Sequence, residues 1–163
     1  MIQRFMRNKV VEVEPRPDGN LEVSWRLTDD LLKAEVRTVV QLPDMEILEA
    51  DATLERFLPQ GGEVASELIK KIEGINIGGG LRKIVAGLLG GPDGCPILVT
   101  AILESANAVI LHFTRPGLHL SEAMTDPKEL KEGFQFMLQT NPRLVRSCIA
   151  FQDDSPLMEG LNL

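Results

Sequence analysis

The chain has 163 residues, 44% hydrophobic and only 4% aromatic, with no Tyr and one Trp; it is long enough for a core of its own, built from Leu, Ile, Val and Ala. A net charge of -7, from 17 basic and 24 acidic residues, argues against a general nucleic-acid grip, which needs clustered Lys and Arg to displace counterions. Two cysteines are too few for a disulfide scaffold and fit a reducing cytosol, and the opening residues MIQRFMRNKV hold no apolar run of secretory length, so a cytoplasmic protein is expected.

The first third reads as strands. Val11 and Val13 alternate with Glu12 and Glu14, the period of a strand with one apolar face. Pro15 to Asn20 is a turn in which Asp18-Gly19 supplies positive φ at little cost. Leu21, Val23, Trp25 and Leu27 then share one face. After the turn Thr28-Asp29-Asp30, Leu32, Ala34, Val36, Thr38 and Val40 continue the alternation opposite Lys33, Glu35 and Arg37. Pro43-Asp44 breaks that strand. Leu48, Ala50, Ala52 and Leu54 make the last inward face, and Glu49, Asp51 and Glu55 point outward toward Lys33 and Arg37. Three or four adjacent strands with short turns make an antiparallel meander whose apolar face needs a cover.

Helices supply it. After Pro59-Gln60-Gly61-Gly62, Val64, Leu68, Ile69 and Ile72 recur at helical spacing up to Gly74. Leu81, Ile84, Val85 and Leu88 mark a second helix between the glycine run 78–80 and Gly90-Gly91. Asp93 to Cys95 cap a third, with Pro96 in its first turn, where a missing N–H costs nothing. From Ile97 to Phe113 this helix is apolar on most sides, so it is expected to be the central helix on the sheet. Glu104, Ser105 and Asn107 within it argue for a buried helix over a membrane span. Arg115-Pro116-Gly117 stops it. Asp126-Pro127 opens a further helix carrying Leu130, Phe134 and Leu138, and Asn141-Pro142 a short one with Leu144, Val145 and Cys148 inward. Strands followed by helices give an α+β fold: a three- or four-stranded antiparallel meander with a helical layer on one face. The expected organisation is one domain over residues 1–163, with strands at about 2–56, helices at about 62–150 and a loose tail at 152–163.

Cys95 is the first candidate for chemistry. A cysteine at a helix N-terminus sits near unpaired N–H groups and the positive end of the helix dipole, which favour thiolate. It could serve as nucleophile, persulfide carrier or metal ligand, or simply be a small side chain at a tight turn. Cys148 reads as a core residue that could become a second thiol. No CxxC spacing points to zinc, so a metal site would have to recruit His112 or His119 through the fold. Gly78-Gly79-Gly80-Leu81-Arg82-Lys83 is a glycine loop opening a helix with two cations, able to hold a phosphate or carboxylate or to act as a plain connector. It lacks the Gly-Lys-Ser/Thr ending of a P-loop. Asp29 and Asp30 are paired carboxylates at a turn, where Asp commonly caps the backbone.

Nearly the whole chain resembles a bacterial family of unknown function. The residues that carry the resemblance are Leu27-Thr28-Asp29-Asp30, Ile77-Gly78-Gly79-Gly80-Leu81-Arg82, Gly94-Cys95 and Ser147-Cys148. That family opens its long helix with Gly-Cys-Thr-His-Leu; this chain has Gly94-Cys95-Pro96-Ile97-Leu98, without the Thr and His. From Thr28 to Ile110 the pattern is also similar to the NifU-like iron–sulfur scaffolds. The matching places are Thr28-Asp29-Asp30, the hairpin 32–55, Gln60-Gly61-Gly62, Glu73-Gly74 and Gly94-Cys95. Only the third scaffold cysteine has a counterpart, Cys95, while Asp30 matches the scaffold's acid. The resemblance implies the fold; a cluster needs several thiolates.

Three functions follow from these residues. The chain reads first as a NifU-like, non-catalytic binding or accessory module, with no cofactor, for an unknown protein partner or small ligand; assembly into a homo-oligomer is compatible with it. The second reading is thiol or metal chemistry, with zinc or an iron–sulfur cluster, at Cys95 helped by Cys148 and Asp30. The third is an anion or nucleotide site at Gly78, Gly79, Gly80, Arg82 and Lys83.

Overall fold

The period-two runs fold into one four-stranded antiparallel sheet in the order β1 (Arg7–Pro15), β2 (Leu21–Asp29), β3 (Lys33–Gln41) and β4 (Glu46–Glu55). The structure is a computed structural model and describes residues 4–55, 61–113 and 126–161. These divide into two compact units with the boundary between Val109 and Ile110.

In the first unit, each apolar strand face registers with the next. Val11 lies opposite Trp25, Trp25 opposite Val36, and Val36 opposite Ala52. Leu21, Val23, Trp25, Leu27, Ala34, Val36, Ala50 and Ala52 are all buried. The outward face is ion-paired as the spacing predicts, with Lys33 on Glu55 at 3.1 Å and Arg37 on Glu49 at 3.2 Å and Asp51 at 3.7 Å. The alternation fails at one place. Val39 pairs with Glu49 but Val40 pairs with Ile47, so Leu48 is an extra residue on β4. A bulge reverses the parity of every side chain beyond it. Ile47, and not Leu48, is therefore buried, opposite the buried Val40.

The outer edge of β4 is closed. Ala50 N–H donates to Glu73 Oε1 at 3.0 Å, and Ser66 Oγ donates to the Ala52 carbonyl at 2.8 Å. Residues 74–77 run against the start of the strand. Ile47 N–H donates to the Ile75 carbonyl at 2.9 Å, Gly74 N–H to the Ile47 carbonyl at 2.8 Å, and Ile77 N–H to the Met45 carbonyl at 2.8 Å.

Helix α1 (Gly61–Ile69) continues into a 3-10 turn, Lys70–Ile72. Ala65, Leu68, Ile69 and Ile72 form its buried stripe, while Val64, expected inward, is exposed; Ala65 completes the i, i+3, i+4, i+7 set that Val64 would break. In α2 (Leu81–Leu89) the buried residues are Leu81, Val85 and Leu89 at every fourth position, and Ile84 is exposed. Helix α3 (Pro96–His112) buries Leu98, Ala101, Ile102, Ser105, Ala106 and Val109. That is one stripe, whereas the composition suggested burial on most sides; Ile97, Val99, Leu103 and Ile110 are half-exposed. No helix among the described residues is long and apolar enough to cross a membrane.

The second unit is built on α4 (Pro127–Thr140). Asp126 caps it, accepting from Lys128 N–H at 2.8 Å, with Pro127 in the first turn. Met137, Leu138 and Met158 form the core, packed by Phe134, Leu144, Val145, Phe151 and Leu161. Two expectations change here. Cys148 is exposed: Arg146, at φ +60, reverses the chain, and its N–H donates to the Phe151 carbonyl at 2.9 Å, closing a loop that carries Cys148. Residues 152–161 are not a loose tail. They fold back on α4, held by Gln135 Nε2, which donates to the carbonyls of Leu157 at 3.2 Å and Glu159 at 3.0 Å, and Met158 is buried.

Candidate functional site

The Gly-Cys-Pro sequence forms the turn between α2 and α3. Cys95 N–H donates to the Leu89 carbonyl at 2.7 Å, returning the chain to the end of α2. The Cys95 carbonyl then accepts from Leu98 N–H at 3.0 Å and Val99 N–H at 3.2 Å, which starts α3. A Cβ at Gly94 would lie 2.2 Å from the Gly90 carbonyl oxygen and 2.4 Å from that of Leu89. Glycine at 94 is thus a requirement of space. Cys95 is a free, half-buried thiol directly before the first turn of α3.

Asp29 and Asp30 separate in role. The Asp29 side chain is buried and accepts from Leu31 N–H at 2.8 Å, Leu32 N–H at 2.7 Å and Arg7 Nε at 2.7 Å. Burial pushes its carboxyl up, but the Leu31 N–H, Arg7 and the Leu32 N–H outweigh this and hold it below the usual carboxylate value. Asp29 is the cap of the β2–β3 turn. Asp30, the residue matched to the scaffold acid, is exposed at that turn.

Glu104 is the one charged residue of the apolar helix, and it ties α3 to the sheet. Its Oε2 accepts from the buried Trp25 Nε1 at 2.6 Å, and its Oε1 pairs with Lys9 on β1. Burial raises its carboxyl pKa, and the bonds from Lys9 and Trp25 bring it below the ordinary value. An indole N–H inside a core needs an acceptor, which explains the carboxylate in so apolar a helix.

The glycine loop is open. Gly78 and Gly79 are exposed, with nothing within 4 Å of a Cβ at either. Gly80 adopts φ +83 before α2. Leu81 N–H is bonded to the Gly78 carbonyl at 3.3 Å and Lys83 N–H to that of Gly80 at 3.0 Å, so donors that an anion would use are engaged within the loop. The side chains of Arg82 and Lys83 are exposed.

Cys95 belongs to the first unit and Cys148 to the second. His112, half-buried, stands edge-on to Phe113 with ring centroids 5.7 Å apart; His119 lies outside the described residues. Among the described residues no group of three or more His, Cys, Asp or Glu side chains is placed to hold a metal ion. The chain has two cysteines in all, fewer than the four thiolates of an all-cysteine cluster site in a single chain.

A different site appears in the second unit. Pro142, Val145, Met158 and Leu161 line a cavity of about 380 Å³ whose polar wall is the pair Arg146–Asp153. Arg146 Nε and Nη2 grip both Asp153 oxygens, with Nη2 to Oδ2 at 2.8 Å and Nε to Oδ1 at 3.1 Å. These bonds raise the arginine pKa above its ordinary value. No periodicity in the sequence signals this site. Arg146 and Asp153 are seven residues apart across a loop, and the positive φ at Arg146 brings them together. Comparison with protein-family models, curated proteins and solved structures finds no match to the chain.

Proposed function

We propose that the chain is a binding module and that the cavity of the second unit holds its small ligand. The supporting observation is the cavity itself: an open hollow in which Pro142, Val145, Met158 and Leu161 stand beside one exposed charged pair, so that apolar and orienting polar groups meet in one place. Local backbone roles account for part of the candidate segments, though not for the Cys95 thiol itself. Gly94 is fixed by space and the Cys95 backbone joins α2 to α3, while Asp29 caps a turn. The strand-then-helix order is what a NifU-like reading of the scaffold rests on, and two free thiols fit a reducing cytoplasm.

The test is a melting screen with a chemically mixed set of small molecules, on the wild type and on Cys95→Ser. A ligand that binds only the folded state raises Tm by mass action. Hits that act on both proteins alike, and that lose their effect in Met158→Ala, support the reading. Iron or zinc in anaerobically purified wild type that disappears in Cys95→Ser would replace it with metal chemistry at Cys95.

A further inference from the structure

The charge pattern of this cavity selects among ligands. Among the described residues its ionic groups are Arg146 and Asp153, which carry opposite charges side by side and are both exposed. Arg146 uses Nε and Nη2 on its partner, and its Nη1 makes no hydrogen bond among the described residues. Asp153 receives bonds from that one guanidinium, and a carboxylate has room for about four. One donor group and spare acceptor sites therefore remain next to each other at the wall of an open hollow of mixed lining. A simple carboxylate that reached Arg146 would stand against Asp153, and a simple amine at Asp153 would stand against Arg146. A molecule with both charges on neighbouring atoms meets neither conflict, because its carboxylate takes Nη1 while its ammonium takes the free lone pairs of Asp153. The remaining lining, Pro142, Val145, Met158 and Leu161, offers an apolar tail a place out of water.

We propose that the cavity binds a small zwitterion with an apolar tail, of the kind presented by a free α-amino acid with an aliphatic side chain. This rests on the reading of the cavity as the ligand site. The volume of about 380 Å³ is at the small end of the range for ligand pockets, which suits a molecule of that size. Arg146 and Asp153 recognise the charges, and Met158 and Leu161 set the preference for the tail.

The experiment is an amide NMR titration of the full chain with three probes: L-leucine, N-acetyl-L-leucine, which lacks the positive charge, and L-leucinamide, which lacks the negative one. Saturable shifts at Val145, Met158 and Leu161 are expected with leucine, at a Kd at least about tenfold lower than with either analogue. In Asp153→Asn the preference for leucine over N-acetyl-leucine should collapse by a similar factor. The comparison of analogues on the wild type stands even if that variant does not fold. Equal affinity for all three, or stronger binding of one of the singly charged probes, would overturn the zwitterion and leave the cavity as a ligand site. Cavity resonances that respond neither to these probes nor to a mixed fragment set would remove both readings together.

Discussion

Gly94→Ala is the sharpest perturbation the fold offers. The added methyl would sit 2.2 Å from the Gly90 oxygen and 2.4 Å from the Leu89 oxygen, both backbone atoms, where ordinary contact begins at 3.4 Å. The turn has to open by about 1 Å, and carbonyls at the end of a helix cannot rotate away as a flexible side chain would. Overpacking of this kind costs about 1–3 kcal/mol. The Leu89 oxygen that must move also holds Cys95 N–H at 2.7 Å, and losing that bond adds about 1 kcal/mol. A total of roughly 2–4 kcal/mol corresponds to a fall in Tm of about 5–15 °C for a chain of this size. Urea and thermal unfolding followed by circular dichroism would measure it beside Gly79→Ala. That control has open space at its Cβ and no positive φ, so it should stay within about 0.5 kcal/mol of wild type. If Gly94→Ala melted with the wild type, the tight α2–α3 turn would be refuted, and the Gly-Cys pair would need a chemical reason to exist.

Ser105 is 3% exposed and its Oγ has no hydrogen-bond partner among the described residues, so Ser105→Ala should stabilise by about 1 kcal/mol, read as a higher urea midpoint; a loss of that size would mean that the hydroxyl is satisfied. Trp25 is the only tryptophan, so its emission reports its Nε1 bond to Glu104; Glu104→Gln should shift that emission and leave far-UV circular dichroism unchanged, and identical spectra would refute the bond. Asp29 and Glu104 both have lowered carboxyl pKa values in the folded state. Their contribution is complete above the unfolded-state value of about 4 and is lost as pH falls through the lower folded value. The urea midpoint of the wild type should therefore drop more steeply on acidification below about pH 4.5 than that of Asp29→Asn/Glu104→Gln; parallel curves would rule the assignment out.

The sheet was readable because its information is local. From Leu21 to Leu27 and again from Leu32 to Val36 every second residue is apolar, and the structure buries those side chains. Reading fails where one residue breaks the period: nothing in Met45-Glu46-Ile47-Leu48-Glu49 says that Leu48 is extra, and the bulge is apparent only from its pairing with Val39 and Val40. The helices were placed by their caps and glycines, but which apolar side chain faces inward depended on neighbours far along the chain. Val64 stands four residues before Leu68 and Ala65 three, both helical spacings, and only Ala65 is covered. Cys148 went wrong for a related reason, because the left-handed turn at Arg146 falls on a residue with no special propensity for it. The cavity was illegible because half of its lining, Asp153, Met158 and Leu161, comes from a segment that composition presents as a tail.

The two margins of the sheet are not equivalent. Along β4 the outward backbone groups are occupied by Glu73, Ser66 and residues 74–77, so an incoming strand would first have to displace side chains and main chain together. β1 is the other margin, and among the described residues nothing is bonded to its outer side; Lys9 and Pro15 there are residues that discourage casual pairing. A particle with two adhesive margins can add copies without limit and grow into a fibre, whereas one with a single margin can satisfy itself once. The closure of β4 thus denies strand-to-strand growth one of the two margins it would need, however concentrated the protein becomes.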